Sequence, residues 1–155
     1  MNSDPSEEFS KAKSTAFRLL KIRSRSEHEI KERLKRKTIS PEIVERTVLY
    51  LKNQRLLDDQ KFARDWINAR LTKSYGLRRI AFELKEKGIN SELINEELSC
   101  AREDYNEENI VRELAKRCKE KYKNTDKTKR KRRIFEYLAR RGFSLEAIAK
   151  ALEHL

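Results

Sequence analysis

The stretch Ile80-x3-Leu84-x2-Lys87-Gly88-Ile89-Asn90-x3-Ile94-x3-Leu98 decides the fold. Its apolar residues fall four apart, break at Lys87-Gly88-Ile89-Asn90, and then resume four apart. A spacing of four keeps side chains on one face of an α-helix. A Gly after such a run ends a helix in a left-handed residue, which glycine adopts without steric cost. Asn90 then stands as the N-cap of the next helix. The stretch reads helix, tight turn, helix.

The pattern occurs twice more. Upstream it reads Ile30-x3-Leu34-x2-Lys37-Thr38-Ile39-Ser40-x3-Val44-x3-Val48. Downstream it reads Ile134-x3-Leu138-x2-Arg141-Gly142-Phe143-Ser144-x3-Ile148-x3-Leu152. Ser40 and Ser144 are the corresponding N-caps, and Pro41 suits a first helical position. Thr38 replaces the glycine, so the first turn is expected to close differently. A further helix precedes each pair, over Ser14–Arg23, Asp59–Thr72 and Glu107–Tyr122. Ser26-Glu27-His28-Glu29 has capping-box spacing for the second helix of the first unit. The expected fold is all-α: three tandem three-helix repeats in an elongated, curved array. Their bounds are 14–57, 58–103 and 104–155, after a disordered tail over 1–13. Each unit is too small to bury much alone.

Composition agrees with this reading. The chain has 155 residues with only 3 Gly and 2 Pro, too few for a turn-rich β-sandwich. The absence of a long apolar run argues against a membrane span. The polar start, Met1-Asn2-Ser3-Asp4-Pro5, lacks the apolar segment of a secretory signal, which points to the cytoplasm. Cys100 and Cys118 lack metal-ligand spacing. No nucleotide-binding or hydrolase motif is present, and His28 and His154 read as surface residues, so an enzyme is not expected. Asp58-Asp59 reads as an N-cap plus a first-turn acid. Phe17, Phe62, Trp66, Phe82, Phe135 and Phe143 fall on apolar stripes and are assigned to the core. Tyr75, in a linker, suits either stacking on a base or packing at a unit junction.

The net charge of +12 is unevenly spread. Residues 16–82 and 116–141 each sum to +10, and 83–113 between them sum to −6. Six of the seven residues from Lys127 to Arg133 are basic. Such crowding repels itself unless an anion neutralises it, which points to a phosphate-contacting surface. The expected contact residues recur beside the middle helix of each unit. They are Arg33, Lys35, Arg36 and Lys37, then Lys73, Arg78 and Arg79, then Lys127, Lys129, Arg130, Lys131, Arg132 and Arg133. The plainer alternative is that these residues only solvate exposed helix faces. The acidic stretch reads as a solvated face or a second contact for a basic partner.

Three segments carry a family resemblance. They are Leu19-Leu20-Lys21-x-Arg23-x-Arg25-Ser26-x2-Glu29-Ile30-x3-Leu34, then Leu51-x4-Leu56-Leu57-Asp58-Asp59-x2-Phe62-Ala63, then Arg70-x5-Gly76-x3-Ile80-x3-Leu84-x2-Lys87-Gly88-Ile89. In this order and spacing they resemble the RecX family of bacterial regulatory proteins over residues 14–99, with weaker motifs to the C-terminus. The resemblance implies a partner, the RecA recombinase, bound mainly as its filament on single-stranded DNA. It implies inhibition of RecA ATP hydrolysis, strand exchange and SOS coprotease activity, and so modulation of recombination and DNA repair. It implies no cofactor and no catalytic residue. DNA contact is expected to be non-specific and electrostatic. No heptad seam is visible, so a monomer is expected. The alternative is a stand-alone helix-turn-helix-like nucleic-acid binder, since the Gly88 turn resembles that motif.

Overall fold

A computed structural model describes residues 4–155. Among the described residues nine helices form three units: α1 (Pro5–Ile22), α2 (Glu27–Lys35) and α3 (Pro41–Asn53); α4 (Asp59–Leu71), α5 (Leu77–Glu86) and α6 (Ser91–Arg102); α7 (Glu107–Lys121), α8 (Lys127–Arg140) and α9 (Leu145–Glu153). No strand occurs among the described residues. None of these helices is long and apolar enough to cross a membrane.

The helix ends follow local chemistry. Ser26 and Glu29 form the reciprocal capping box at α2. Asp58, Asn90, Asn106, Asp126 and Ser144 each accept a backbone N–H from the turn they cap. Ser40 sits at the N-cap of α3 but does not cap it through its side chain. Its N–H and hydroxyl donate instead to Glu8 at 2.7 and 2.9 Å. Ser144 does the same to Glu107 at 3.0 and 2.7 Å. A carboxylate from the first helix thus clamps the start of the third in both outer units.

Two expectations about the backbone are corrected here. Residues 5–13, expected in a disordered tail, are helical, because α1 begins at Pro5 under an Asp4 cap and buries Ala12. Residues 1–3 of that tail lie outside the described residues. The Thr38 turn closes like the glycine turns. The Ile39 N–H donates to the Leu34 carbonyl at 3.3 Å, as Ile89 does to Leu84 at 3.1 Å and Phe143 to Leu138 at 3.4 Å. Thr38 adopts φ 58° to do so, against 73° and 86° at Gly88 and Gly142.

Three cores form, one per unit. The first centres on Ile30, Leu34, Val44 and Leu51, the second on Ile67, Ile80 and Leu84, the third on Ile134, Leu138, Phe143 and Ile148. Each fully buried Leu or Ile contributes about 2 kcal/mol. The Phe62 and Phe143 assignments to the core hold, and Trp66 stacks on Phe62 while staying half-buried. Phe17, Phe82 and Phe135 are exposed at 41%, 63% and 39%, contrary to expectation. Each lies at the edge of a stripe that a small unit cannot fully cover.

The units meet end-on. In joint 1 the Ser26 hydroxyl donates to the Lys87 carbonyl at 2.6 Å. In joint 2 the Gly76 N–H donates to the Arg141 carbonyl at 2.8 Å. In each joint the N-cap of one unit's middle helix meets the C-cap of the next unit's middle helix. The helices α8, α5 and α2 therefore run head to tail along one spine. At 1.5 Å per residue their contour is about 50 Å. The close approach explains the glycines: a Cβ at Gly88 would strike the His28 side chain, and one at Gly142 the Arg79 backbone. Thr38 is exposed, and among the described residues no other unit caps its turn, so a side chain fits there. The protein exposes 10607 Å², about 30% more than a compact chain of 18.5 kDa, as an elongated array must.

Candidate interaction surface

The expected basic residues sit at three stations on this spine. Arg33, Lys35, Arg36 and Lys37 surround the free C-terminus of α2 and are exposed. Lys73, Arg78 and Arg79 are exposed at joint 2. Lys127, Lys129, Arg132 and Arg133 are exposed on the first turns of α8, with Arg130 and Lys131 half-buried. Among the described residues, ten of these thirteen cations have no carboxylate within 4 Å; Lys35, Arg79 and Arg132 pair with Glu32, Glu83 and Glu136. Arg79 also donates to the Arg140 carbonyl at 2.9 Å and lies over Tyr75, so the joint occupies it.

The 127–133 run forms the start of α8. Relative to the repeat, α8 begins seven residues before Ile134, whereas α5 begins three before Ile80. The extra four residues add one helical turn. That overhang carries no acidic residue in its first turn, and only Asp126 caps it, accepting from Thr128 and Lys129. Cations there oppose the helix dipole, a local cost that a bound anion would offset.

The acidic stretch is divided: Glu83, Glu97 and Glu107 are held inside the protein, while Glu86, Glu92, Glu96, Glu103 and Asp104 stay exposed. Glu97 is buried and accepts from Arg64 and Gln60 at 3.0–3.1 Å. Arg64's hydrogen bond outweighs burial and lowers the Glu97 pKa. Glu83 accepts from Arg79, Trp66 and Arg70. Burial alone would raise the pKa of Glu83, but these three bonds reverse the direction. Glu107 clamps Ser144, and Glu108 pairs with Lys150 at 2.8 Å. Among the described residues no group of three or more His, Cys, Asp or Glu is placed to hold a metal ion.

Joint 1 is held by charge. Glu29 accepts from Arg23 at 2.7 Å and Lys87 at 3.2 Å. Burial opposes its ionisation. The Arg23 and Ser26 hydrogen bonds and the Lys87 charge outweigh burial and bring its pKa down to about 2. Asp59, expected only as a first-turn acid, reaches across the joint and accepts the Glu27 N–H at 2.8 Å. Its burial raises its pKa. Joint 2 is held by Arg141, which donates to the Lys73 and Ser74 carbonyls at 2.5 and 2.9 Å. The Arg141 guanidinium lies 4.8 Å from the Tyr75 ring centre, so Tyr75 packs at the junction.

A shallow groove on another side of joint 2 brings Arg78, Phe82, Arg140 and Leu145 together. It sets the apolar Phe82 and Leu145 beside a basic station. Sequence reasoning placed Phe82 in the core and did not single out Leu145, Arg140 or Arg141. The signal for Arg141 was present, since Lys37, Lys87 and Arg141 share one register of the repeat.

Comparisons with known proteins agree with this architecture. Family models of the first, second and third three-helix domains of RecX match residues 12–51, 58–98 and 104–152. The regulatory protein RecX of Clostridium acetobutylicum is 32% identical over 149 residues, covering 93% of this chain and 68% of that one. That of Amycolatopsis mediterranei is 33% identical, covering 90% and 79%. The crystal structure of RecX from Lactobacillus salivarius superposes with a TM-score of 0.78 at 20% identity, covering 97% of both chains, which shows a shared fold. With all three units matched in order, the chain belongs to the RecX family of regulatory proteins.

Proposed function

We propose that this chain binds the RecA recombinase assembled on single-stranded DNA and inhibits its ATP hydrolysis, strand exchange and coprotease activity. It thereby modulates recombination, DNA repair and the SOS response in the cytoplasm, acting as a monomer and without a cofactor. The observation that carries the reading is the cationic surface, mostly unpaired, set at three stations along a spine of about 50 Å contour. A nucleoprotein filament offers phosphate and acidic protein surface at regular intervals. Several weak contacts on one rigid molecule then add avidity without a single strong site. The Phe82–Leu145 groove supplies apolar area for the protein part of such a target.

The stand-alone helix-turn-helix reading is disfavoured by charge placement. A recognition helix meets DNA with its N-terminal residues. The helices that follow the tight turns open with Glu42, Glu92 and Glu146, which repel phosphate.

RecA ATP hydrolysis on single-stranded DNA is measured as the protein is added below stoichiometry. Inhibition is expected, and the variant K129E/R130E/R132E/R133E should inhibit less while keeping wild-type circular dichroism. An absence of inhibition by the folded wild-type protein, together with tight binding to a defined duplex, would sink the proposal.

A further inference from the structure

A groove of about 420 Å³ lies between units 2 and 3. We infer that it is a binding site for the phosphodiester backbone of a nucleic-acid strand, held by Lys73, Arg117, Lys121 and Arg141. This deepens the filament reading and rests on it only for the presence of single-stranded DNA.

Four cations enter the groove from three elements: the α4–α5 connection, α7 and α8. No carboxylate lines it, and among the described residues none of the four has a carboxylate within 4 Å. Like charges gathered in one cleft repel, and this chain has acids available to relieve that.

Joint 1 shows what relief looks like. Lys73 and Arg141 occupy the registers of Arg23 and Lys87 in the repeat. There both cations share Glu29, at 2.7 and 3.2 Å. The register of Glu29 is occupied by Arg79 at joint 2, and that of Glu83 by Tyr137. The acid that the two cations share at joint 1 is gone, and both cations remain. Arg117 and Lys121 then add two more, one helical turn apart on an exposed face of α7.

The arrangement suits a strand better than a single small anion. The cations come from the α4–α5 connection, α7 and the C-cap of α8, so several phosphates of one strand can each meet a separate element. Arg141 spends donors on two carbonyls and so acts at the groove through the rest of its fork. Tyr122 carries Lys121 on its ring at 5.7 Å and Arg133 at 5.6 Å. The groove therefore opens onto the basic overhang of α8. A polyanion with regularly spaced charge matches such a track.

The test is fluorescence anisotropy of a labelled oligothymidylate with the full chain and no RecA. The groove variant is R117E/K121E, and K11E/K61E is a charge-matched control at exposed sites elsewhere. The groove variant should bind about tenfold more weakly, and its log-affinity slope against log salt should flatten by ~1.4, at ~0.7 per lost phosphate contact. R117Q/K121Q should give the same direction with a smaller effect, and both variants should melt like wild type. Equal weakening by the control would overturn the site in favour of bulk charge. Competition by polyglutamate as effective as by unlabelled oligonucleotide would overturn it in favour of an acidic protein segment. Failure of RecA inhibition leaves this readout unaffected, so the two proposals fail separately.

Discussion

Replacing Gly142 with alanine separates two costs that the head-to-tail joint combines. Gly142 has φ 86°, a left-handed conformation that costs an L-residue roughly 1–2 kcal/mol. The added Cβ also points at the N, Cα and Cβ atoms of Arg79 in the first turn of α5. Those are backbone and near-backbone atoms, so no flexible side chain can step aside, and overpacking of this kind costs roughly 1–3 kcal/mol. The expected total is about 2–5 kcal/mol. Strain stays in unit 3, while the clash is relieved by parting the joint, with loss of the 2.8 Å bond from Gly76 to Arg141. Thr38 is the internal reference, since it holds φ 58° and among the described residues no other unit caps its turn. Thr38→Gly should recover only the strain, about 1 kcal/mol, with no change of shape. Denaturation followed by circular dichroism gives the stabilities, and small-angle X-ray scattering gives the radius of gyration. Gly142→Ala should enlarge the radius and weaken RecA inhibition, because stations out of register lose avidity. A loss no larger than the gain at Thr38, with unchanged scattering, would refute the hard contact.

Joint 1 should respond to acid. The folded pKa of Glu29, about 2, lies below the ordinary 4.5, so its ionised form favours the native state. That contribution is complete above pH 4.5 and fades as pH falls toward 2; discounted for solvent screening, it amounts to about 1–2 kcal/mol. Glu29→Gln should flatten the stability–pH curve in this window, and parallel curves for the two proteins would show that the pair holds nothing. In the core, Leu34→Ala should cost about 2–5 kcal/mol and expose the amides of unit 1 to hydrogen exchange. The amides of unit 3 should keep their protection, because the cores are separate; loss of protection throughout the chain would contradict that separation.

The repeat makes the fold legible in the sequence. Apolar spacing of four, the Lys/Arg-Gly-apolar-Ser/Asn break and the Ser26–Glu29 box are local signals, and local signals survive in sequence. The long-range ones do not. Nothing near Asp59 says that it closes the first turn of α2, and nothing near Glu8 says that it holds Ser40. The basic stations were visible as runs of charge. Arg117 and Lys121 were hidden in an ordinary-looking i, i+4 pair on α7, because the lack of acids around them arises only when unit 2 meets unit 3. Phe82 and Phe135 were misplaced because a stripe's edge and its centre look alike in periodicity.

The joint between units is directional: a helix start meets a turn, and the two surfaces differ. Contacts of that kind between separate molecules do not close on themselves and can propagate into fibres. This chain carries both halves of such a contact unused, the α2–α3 turn at one end and the start of α8 at the other. Thr38 places a side chain where the stacked turns need glycine. The α8 overhang would bring Lys127, Lys129 and Arg130 against Arg36 and Lys37 of another copy. A shape block and a like-charge block therefore oppose the end-to-end stacking of one copy on another.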